Sequence, residues 1–343
     1  MHTFLSSLLA ALPRTGFWEA PAIVGVSGGA DSVALLLGLA RLAPPQARLI
    51  VAHACHDVRP EAPADRDFVA ALAERLRLPC ELRSLAVRDD STQRGEGLEA
   101  RARRLRYAFL IDTAHGHGAR HVVVGHTAND QAETILHRAL RGTGLAGLAG
   151  MRRSRGLADG VALLRPLLHL PRALGRGFLE AEREGWREDA TNADPKFARN
   201  FLRHEILARA EQGPYPAAAA ALGRLGEHAA RSAAALASAA EHLLERCSQR
   251  QEDGAIVIRG AALAGLDPHL VAEVFVALWR REAWPQRDMA ARHYAMLAAL
   301  MAPATGGDEG ARFVDMPGGI RARPAGESDV VIRRVQDFIS TRR

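Results

Sequence analysis

The sequence predicts an α/β fold: a doubly wound, mostly parallel sheet over residues 1–213, then a smaller, mainly helical domain over 214–343 that ends in a β-hairpin. Three observations carry that prediction. Strand-like and helix-like runs alternate up to about Ala210, the pattern of a parallel sheet wrapped by helices. A glycine-rich turn, Ser27-Gly-Gly-Ala-Asp-Ser32, stands between the first strand and the helix after it. The string Glu211-Gln-Gly-Pro-Tyr-Pro216 then breaks the alternation, and an alanine-rich helical composition follows.

The apolar run Ala22–Val26 reads as the first strand and Ser32–Leu42 as its helix. Arg48–Ala54, rich in Ile, Val and Ala, is the second strand. Asp65–Arg77 places Phe68, Leu72 and Leu76 on one helical face at spacings of four. Cys80–Val87 is the third strand. Leu98–Gly116 is a helix whose Leu98, Ala102, Leu105 and Phe109 form the buried stripe, with arginines on its other faces. His121–Gly125 is the fourth strand, and a helix runs from about Asn129 to Leu140. After the glycine-rich stretch Arg141–Gly150, Val161–Leu168 reads as an edge strand ended by Pro166. Arg172–Glu184 and Phe197–Arg209 read as helices. In the second domain the expectation is a helix over Ala217–Cys247, a strand at Ala255–Ile258, helices around Trp279 and Tyr294, and a closing hairpin around Pro317-Gly-Gly319.

Composition narrows the class. With 343 residues, 48% hydrophobic and 24% charged, the chain has the make-up of an ordinary soluble globule. Its net charge of +6 suits a polyanionic partner. Lys196 is the sole lysine, so no phosphate loop here can use a lysine of the Walker type. Cys55, Cys80 and Cys247 lie far apart without a CxxC pair, which argues against a disulfide scaffold, a zinc ribbon or an iron–sulfur site and points to a reducing, cytoplasmic setting. The N-terminal run Phe4–Leu12 lacks a basic flank before it and is followed by Arg14 and Trp18, so it reads as a short packing helix. Nothing in the sequence has the length of a membrane span, and no membrane partner is expected.

Chemistry concentrates in the turn Ser27–Ser32. Gly28 and Gly29 let backbone N–H groups approach phosphate oxygens, the helix beginning near Ala30 directs its positive end at the same anion, and Ser27 and Ser32 add hydroxyls. Asp31 would repel a triphosphate unless a Mg²⁺ lay between them, so Asp31 is the candidate metal ligand. A plain Ser/Asp helix cap explains each residue singly. It does not explain the whole string in a strand–loop–helix setting. A second cluster begins at Gly125: Thr127 and Asp130 fit a helix cap, while Asp130 and Glu133, three apart, share one helical face at the carboxyl end of a strand. His126 and His137 are candidate bases, though an ordinary polar contact explains each as well.

The string Ser27–Ser32 resembles the PP-loop of the ATP pyrophosphatase superfamily, with its adenine nucleotide α-hydrolase-like fold. Further strings resemble the tRNA(Ile)-lysidine synthetase family within it. These are Gly125-His-Thr-Ala-Asn-Asp-Gln-Ala-Glu-Thr134, followed by Arg141-Gly-Thr-Gly144 and Gly147-Leu-Ala-Gly-Met151, and Glu99-Ala-Arg-Ala-Arg-Arg-Leu-Arg-Tyr107. Asp189-Ala-Thr-Asn192, Ala198-Arg-Asn-Phe-Leu-Arg203, and His53-Ala-Cys-His56 with Arg59 complete the set. Two features depart from it: Asn129 stands where the family's string has an aspartate, and His53-Ala-Cys-His56-Asp-Val58 is a loose version of the family's second motif.

That resemblance implies an ATP- and Mg²⁺-dependent ligase. It would join free L-lysine to the wobble cytidine of tRNA(Ile) with a CAU anticodon through an adenylated cytidine, with AMP and pyrophosphate released. It implies ATP contacts at Ser27, Gly28, Gly29, Ala30, Asp31, Ser32, His53, Gly125 and His126, and lysine contacts at Asp130 and Glu133. Arg103, Arg104, Arg106, Arg152, Arg199, Asn200 and Arg203 would face tRNA, with Arg199 joining Asp31, Asp130 and Glu133 in catalysis. The second domain would grip the tRNA body. A tRNA thiolase, a small-molecule amidating enzyme and a non-catalytic tRNA-binding module are the rival readings. The sequence is compatible with a homodimer and does not set the oligomeric state.

Overall fold

The structure is a computed structural model that describes residues 2–56, 62–88, 97–188, 198–301 and 313–335. Arg59, the Asp189–Asn192 string and Lys196 lie outside the described residues. The chain divides into two compact units, Met1–Ala229 and Ala230–Arg343.

The first unit is built on six strands: β1 (Ala22–Gly25), β2 (Leu49–His56), β3 (Cys80–Leu85), β4 (His121–Val124), β5 (Ser154–Ala158) and β6 (Val161–Leu164). Their order across the sheet is β3-β2-β1-β4-β6-β5. Neighbours are parallel except β5, which runs antiparallel to β6. The central strands are apolar on both faces because helices cover both. Val24, Val51 and Val123 pack with α2 (Ala30–Leu42) on one side. Ile23, Ile50 and Val122 pack with α4 (Leu98–Gly116) on the other, beside Phe109 and Leu110. The expected N-terminal packing helix is α1 (Thr3–Ala11), which buries Phe4 and Leu8. It lies close to α2 because Gly38 leaves room; a Cβ there would come within 2.6 Å of Leu8 Cδ2.

The strand expected as an edge is internal. β6 has β4 on one side and β5 on the other. The true edge, Ser154-Arg-Gly-Leu-Ala158, is half polar, contains glycine and pairs on one side only, so it lacks the look of a strand. Its connection is a sharp hairpin at Asp159-Gly160 with Gly160 at φ 68°, and an Asp-Gly pair is the sequence signal for such a turn.

The remaining helices of this unit are α3 (Ala62–Arg75), α5 (Ala128–Leu140), α6 (Leu145–Leu148), α7 (Arg172–Ala181), α8 (Ala198–Phe201) and α9 (Ala208–Gln212). Between α8 and α9 the chain keeps turning in a wider π-helical segment, Leu202–Leu207. The division between the units falls within α10 (Ala218–Cys247), beyond the Gly213–Pro216 turn. The first turns of α10 belong to the first unit because they pack there. A Cβ on Gly226 would stand 2.5 Å from Ile135 Cδ1 and 3.3 Å from the Leu148 carbonyl.

The second unit has the expected closing hairpin, extended into a five-stranded antiparallel sheet. It comprises β7 (Ser248–Arg250), β8 (Ile256–Ile258), β9 (Val314–Met316), β10 (Ile320–Ala325) and β11 (Asp329–Arg334), ordered β7-β8-β11-β10-β9. Helices α11 (Pro268–Arg281) and α12 (Ala291–Ala299) pack on it. Trp279 is fully enclosed at the centre, edge-on to Trp284 and Tyr294 at 4.8 and 5.8 Å between ring centroids.

Candidate active site

β1 and β4 lie side by side, and the helices that follow them, α2 and α5, both start at the carboxyl ends of the strands. That is where an open α/β sheet forms its crevice. Here it is a cleft of about 980 Å³. Gly125, at the end of β4, sets how closely its walls approach. A Cβ on it would sit 2.8 Å from the Asp31 carbonyl oxygen, so only glycine allows this contact.

The phosphate-loop candidate forms one wall. Gly28 takes φ 93°, a conformation that favours glycine. Ser32 Oγ braces the loop, donating to the Gly29 carbonyl (2.9 Å) and accepting from the Ser27 N–H (3.1 Å). Ser27, Gly29, Ala30 and Asp31 line the cleft, and Gly29 caps the N-terminus of α2. His53 also lines it, buried, with its Nδ1–H donating to the Val26 carbonyl at 2.8 Å.

Facing the loop is a compact network of three carboxylates and three guanidinium groups. Arg172 Nε donates to Asp31 Oδ2 (2.8 Å) and its Nη2 to Asp130 Oδ1 (3.1 Å). Arg199 Nη2 reaches Asp130 Oδ1 at 3.0 Å while its Nε reaches Glu133 Oε2 at 2.7 Å. Arg203 Nε takes Glu133 Oε1 at 2.6 Å. Asp130 Oδ2 meanwhile reaches back from the first turn of α5 to its N-cap, accepting the Thr127 N–H (2.8 Å) and Oγ1–H (3.0 Å). Alternation of charge is what lets so many ionised groups share a poorly solvated place. Two of the carboxylates nonetheless differ. Burial pushes the Asp31 carboxyl above its usual range, Arg172 pulls it only partly back, and Asp130 adds to the rise. Burial acts on Asp130 the same way, but Arg199, Arg172 and the Thr127 N–H outweigh it and hold its carboxyl below that range.

Magnesium is the metal that the loop sequence implies. Among the described residues no three His, Cys, Asp or Glu side chains converge to hold an ion by themselves. A site with Asp31 as its carboxylate, completed by phosphate oxygens and water, fits the habit of Mg²⁺.

The expected residues are therefore distributed as follows. Ser27, Gly29, Ala30, Asp31 and Ser32 of the loop line one cleft with His53, Gly125, His126, Asp130, Arg106 and Arg203, while Gly28 is buried and does not line it. Glu133 lies beneath it, 2% exposed, with both oxygens already bonded by arginines. His126 is pushed down to about 3, by burial first and then by Arg165, Arg199 and Arg106, with Asp130 opposing, so its ring is neutral at pH 7. His137 sits in the last turn of α5 and does not line the cleft. Arg103 and Arg152 are exposed, as a polyanion contact requires. Asn200 is buried and offers no surface to a large partner.

Sequence reasoning missed Arg172, because nothing local marks it beyond its place after Pro171 at the start of α7. It also missed what Asn129 does: its Oδ1 accepts the Arg172 backbone N–H at 2.9 Å and ties the starts of α5 and α7 together. Gln131 was in view within the Gly125–Thr134 string. Its amide holds the glycine-rich loop, accepting from Met151 N–H (2.8 Å) and donating to the Met151 carbonyl (3.1 Å).

Comparison with known proteins identifies the family of the chain. The PP-loop domain family matches residues 5–210. The tRNA(Ile)-lysidine synthase of Thermus thermophilus is 45% identical over 221 residues, covering 64% of this chain and 41% of its own length. That of Methylobacterium nodulans is 40% identical over 267 residues, covering 76% of this chain and 75% of its own. The chain thus spans about two-fifths of the first relative and three-quarters of the second. Among solved structures, a U34-tRNA thiolase from Methanococcus maripaludis with a 4Fe–4S cluster superposes with a TM-score of 0.55 at 15% identity, over 66% of this chain and 77% of that one, which speaks to the fold alone. With the PP-loop matched across most of the first unit and a relative covered over three-quarters of its length, this chain belongs to the tRNA(Ile)-lysidine synthase family.

Proposed function

We propose that the chain joins free L-lysine to C2 of the wobble cytidine of tRNA(Ile) with a CAU anticodon, using ATP and Mg²⁺. The observation that carries the reading is the single cleft onto which the phosphate loop and Asp130 both open, bridged by Arg172. In the first step the cytidine O2 attacks the α-phosphate of ATP and pyrophosphate leaves. In the second the ε-amine of lysine attacks C2, the C2–O2 bond breaks and AMP leaves with that oxygen, while the amine gives up its proton.

This chain's part is to position and to neutralise. The loop N–H groups and the start of α2 would hold phosphate oxygens. Asp31 and the ATP phosphates would hold the magnesium, whose chemistry is to offset charge on the triphosphate. Neutral His126 can accept a proton at the ring nitrogen that lacks one. Asp130 and Glu133 suit an ammonium by charge, but their oxygens are engaged by Arg172, Arg199 and Arg203. A lysine ammonium would therefore bind by exchange with a guanidinium, which frees that arginine for a phosphate or phosphodiester. Arg103, Arg104, Arg106 and Arg152 would receive the anticodon stem electrostatically, with the region after Gly213 gripping the body of the tRNA. Among the described residues no cysteine lines the cleft, which disfavours a thiolase reading.

The deciding experiment supplies labelled lysine and unmodified tRNA(Ile) bearing CAU, with and without ATP. ATP-dependent incorporation is expected, with AMP formed in equal amount. Asp31→Ala is expected to abolish AMP formation while circular dichroism stays unchanged, because it removes a cleft-facing charge and leaves the apolar core alone. Near-normal turnover of that variant in saturating magnesium would remove Asp31 from the site.

A further inference from the structure

Arg172 joins the two halves of the cleft, and its anchorage is unusually complete. Its backbone N–H is held by Asn129 Oδ1 at the start of α5. Pro171 fixes the chain as it enters α7. The helix lies against α2, where a Cβ on Gly175 would touch Ala34 Cβ at 3.4 Å. The guanidinium thus issues from a point fixed with respect to both the phosphate loop and the carboxylate helix. It is 19% exposed and spans Asp31 Oδ2 and Asp130 Oδ1.

The two contacts are unequal. Asp130 would keep Thr127, Arg199 and Arg203 as donors if Arg172 withdrew. Asp31 has Arg172 as its ion-pair partner among the described residues. A half-buried carboxylate of this kind is stabilised in its charged form by a cation close by. A guanidinium and a divalent ion cannot both lie against the same carboxylate oxygen, since they repel each other at that range.

We propose that Arg172 is an internal cation that occupies Asp31 when no divalent ion is bound and surrenders it when metal and nucleotide arrive. The inference rests on the reading of Asp31 as the metal-side carboxylate. Once displaced, the guanidinium keeps Asp130 through Nη2 and alters the crowded set of donors on Oδ1. Occupancy of the phosphate loop is thereby passed to the place proposed for lysine. By linkage the coupling runs in both directions. Arg172 is a positioning residue in this scheme; it forms and breaks no covalent bond.

The test uses the full chain and an ATP analogue with a methylene bridge between the α- and β-phosphates. Analogue binding is measured by calorimetry over a magnesium series in the wild type and in Arg172→Gln. Removal of the competing cation is expected to lower the half-saturating magnesium concentration by roughly fivefold or more. Lysine affinity is then measured with and without magnesium and analogue, in the wild type and in Arg172→Lys. Lysine's ammonium can sit on one carboxylate but cannot span two as the fork does, so the change in lysine affinity seen in the wild type is expected to vanish in that variant. A half-saturating magnesium concentration that is unchanged or higher in Arg172→Gln overturns the inference and leaves the functional reading standing. If Arg172→Gln does not fold, persistence of the wild-type coupling in Arg172→Lys overturns it instead. A wild-type chain that fails to bind the analogue with magnesium sinks both.

Discussion

Glu133 is bonded through both oxygens and closed to solvent, so its charge orients Arg199 and Arg203 whatever else it does. Glu133→Gln keeps the shape but turns an N–H₂ group towards a guanidinium. The lost charge-assisted bonds are worth about 1.5–3 kcal/mol, a factor of roughly ten to a hundred. We expect that factor to appear in lysine-dependent AMP release, while tRNA-dependent pyrophosphate release stays near normal. An equal fall in both would mean that Glu133 serves adenylation through its arginines. His126 gives a prediction in pH. Its folded pKa lies near 3, below the ordinary 6.5, so between those values the unfolded chain binds the extra proton. The stability concerned is present in full above about 6.5 and is lost as pH falls towards 3. His126→Asn is expected to show a shallower decline in urea midpoint from pH 6.5 to 4 than the wild type. Parallel curves would mean that His126 titrates like a surface histidine. At this scale the loop was legible because its chemistry is contiguous, six residues in one string. Arg172 was not, since its partners Asp31 and Asp130 stand far from it in the chain and meet it only through the strand order.

α5 does two jobs on two faces. Asp130 and Glu133 face the cleft network, while Gln131 and Arg138 hold the loop that follows. Arg138 Nη1 donates to the carbonyls of Gly147 and Gly150, both at 2.9 Å, and Gly150 at φ 70° makes the turn that brings Met151 back to Gln131. Gln131→Ala would leave the Met151 N–H and carbonyl without these partners, a cost of about 1–3 kcal/mol. Faster amide hydrogen exchange is expected at Met151 and its neighbours, with exchange in α2 unchanged. Uniform acceleration across both would show that the amide supports the whole cleft. The apolar stripe located α4, although its first member, Leu98, is 48% exposed where the pattern predicts burial, and of the stripe only Phe109 is fully buried. The spacing of four between Arg199 and Arg203 puts both on one helical face, and both reach Glu133. The π-helical turn at Leu202–Leu207 was not legible, since no propensity separates it from α-helix. β5 escaped because it is short, partly polar and interrupted by Gly156.

The whole chain divides later than its clearest breaker suggests. Gly213–Pro216 is a turn, but Gly226 on α10 still packs against Ile135 and the Leu148 carbonyl. A fragment ending at 213 would expose Ile135, which is otherwise fully buried. At about 2 kcal/mol for that side chain, its melting temperature should lie roughly 4–8 °C below that of a fragment ending at 229. Equal melting temperatures would make the breaker the working boundary. The sheet order has a consequence in time. β1 leaves the ribosome well before one of its two partners, β4, which lies about 100 residues downstream, with Ala22 opposite His121. At about 5–20 residues per second, translation leaves one edge of that apolar strand uncovered for roughly 5–20 s. Pairing is then slowed by the closure of so long a loop. The strand that ends in the phosphate loop is thus in need of shelter while the chain is nascent, and the cleft cannot exist until β4 has been made.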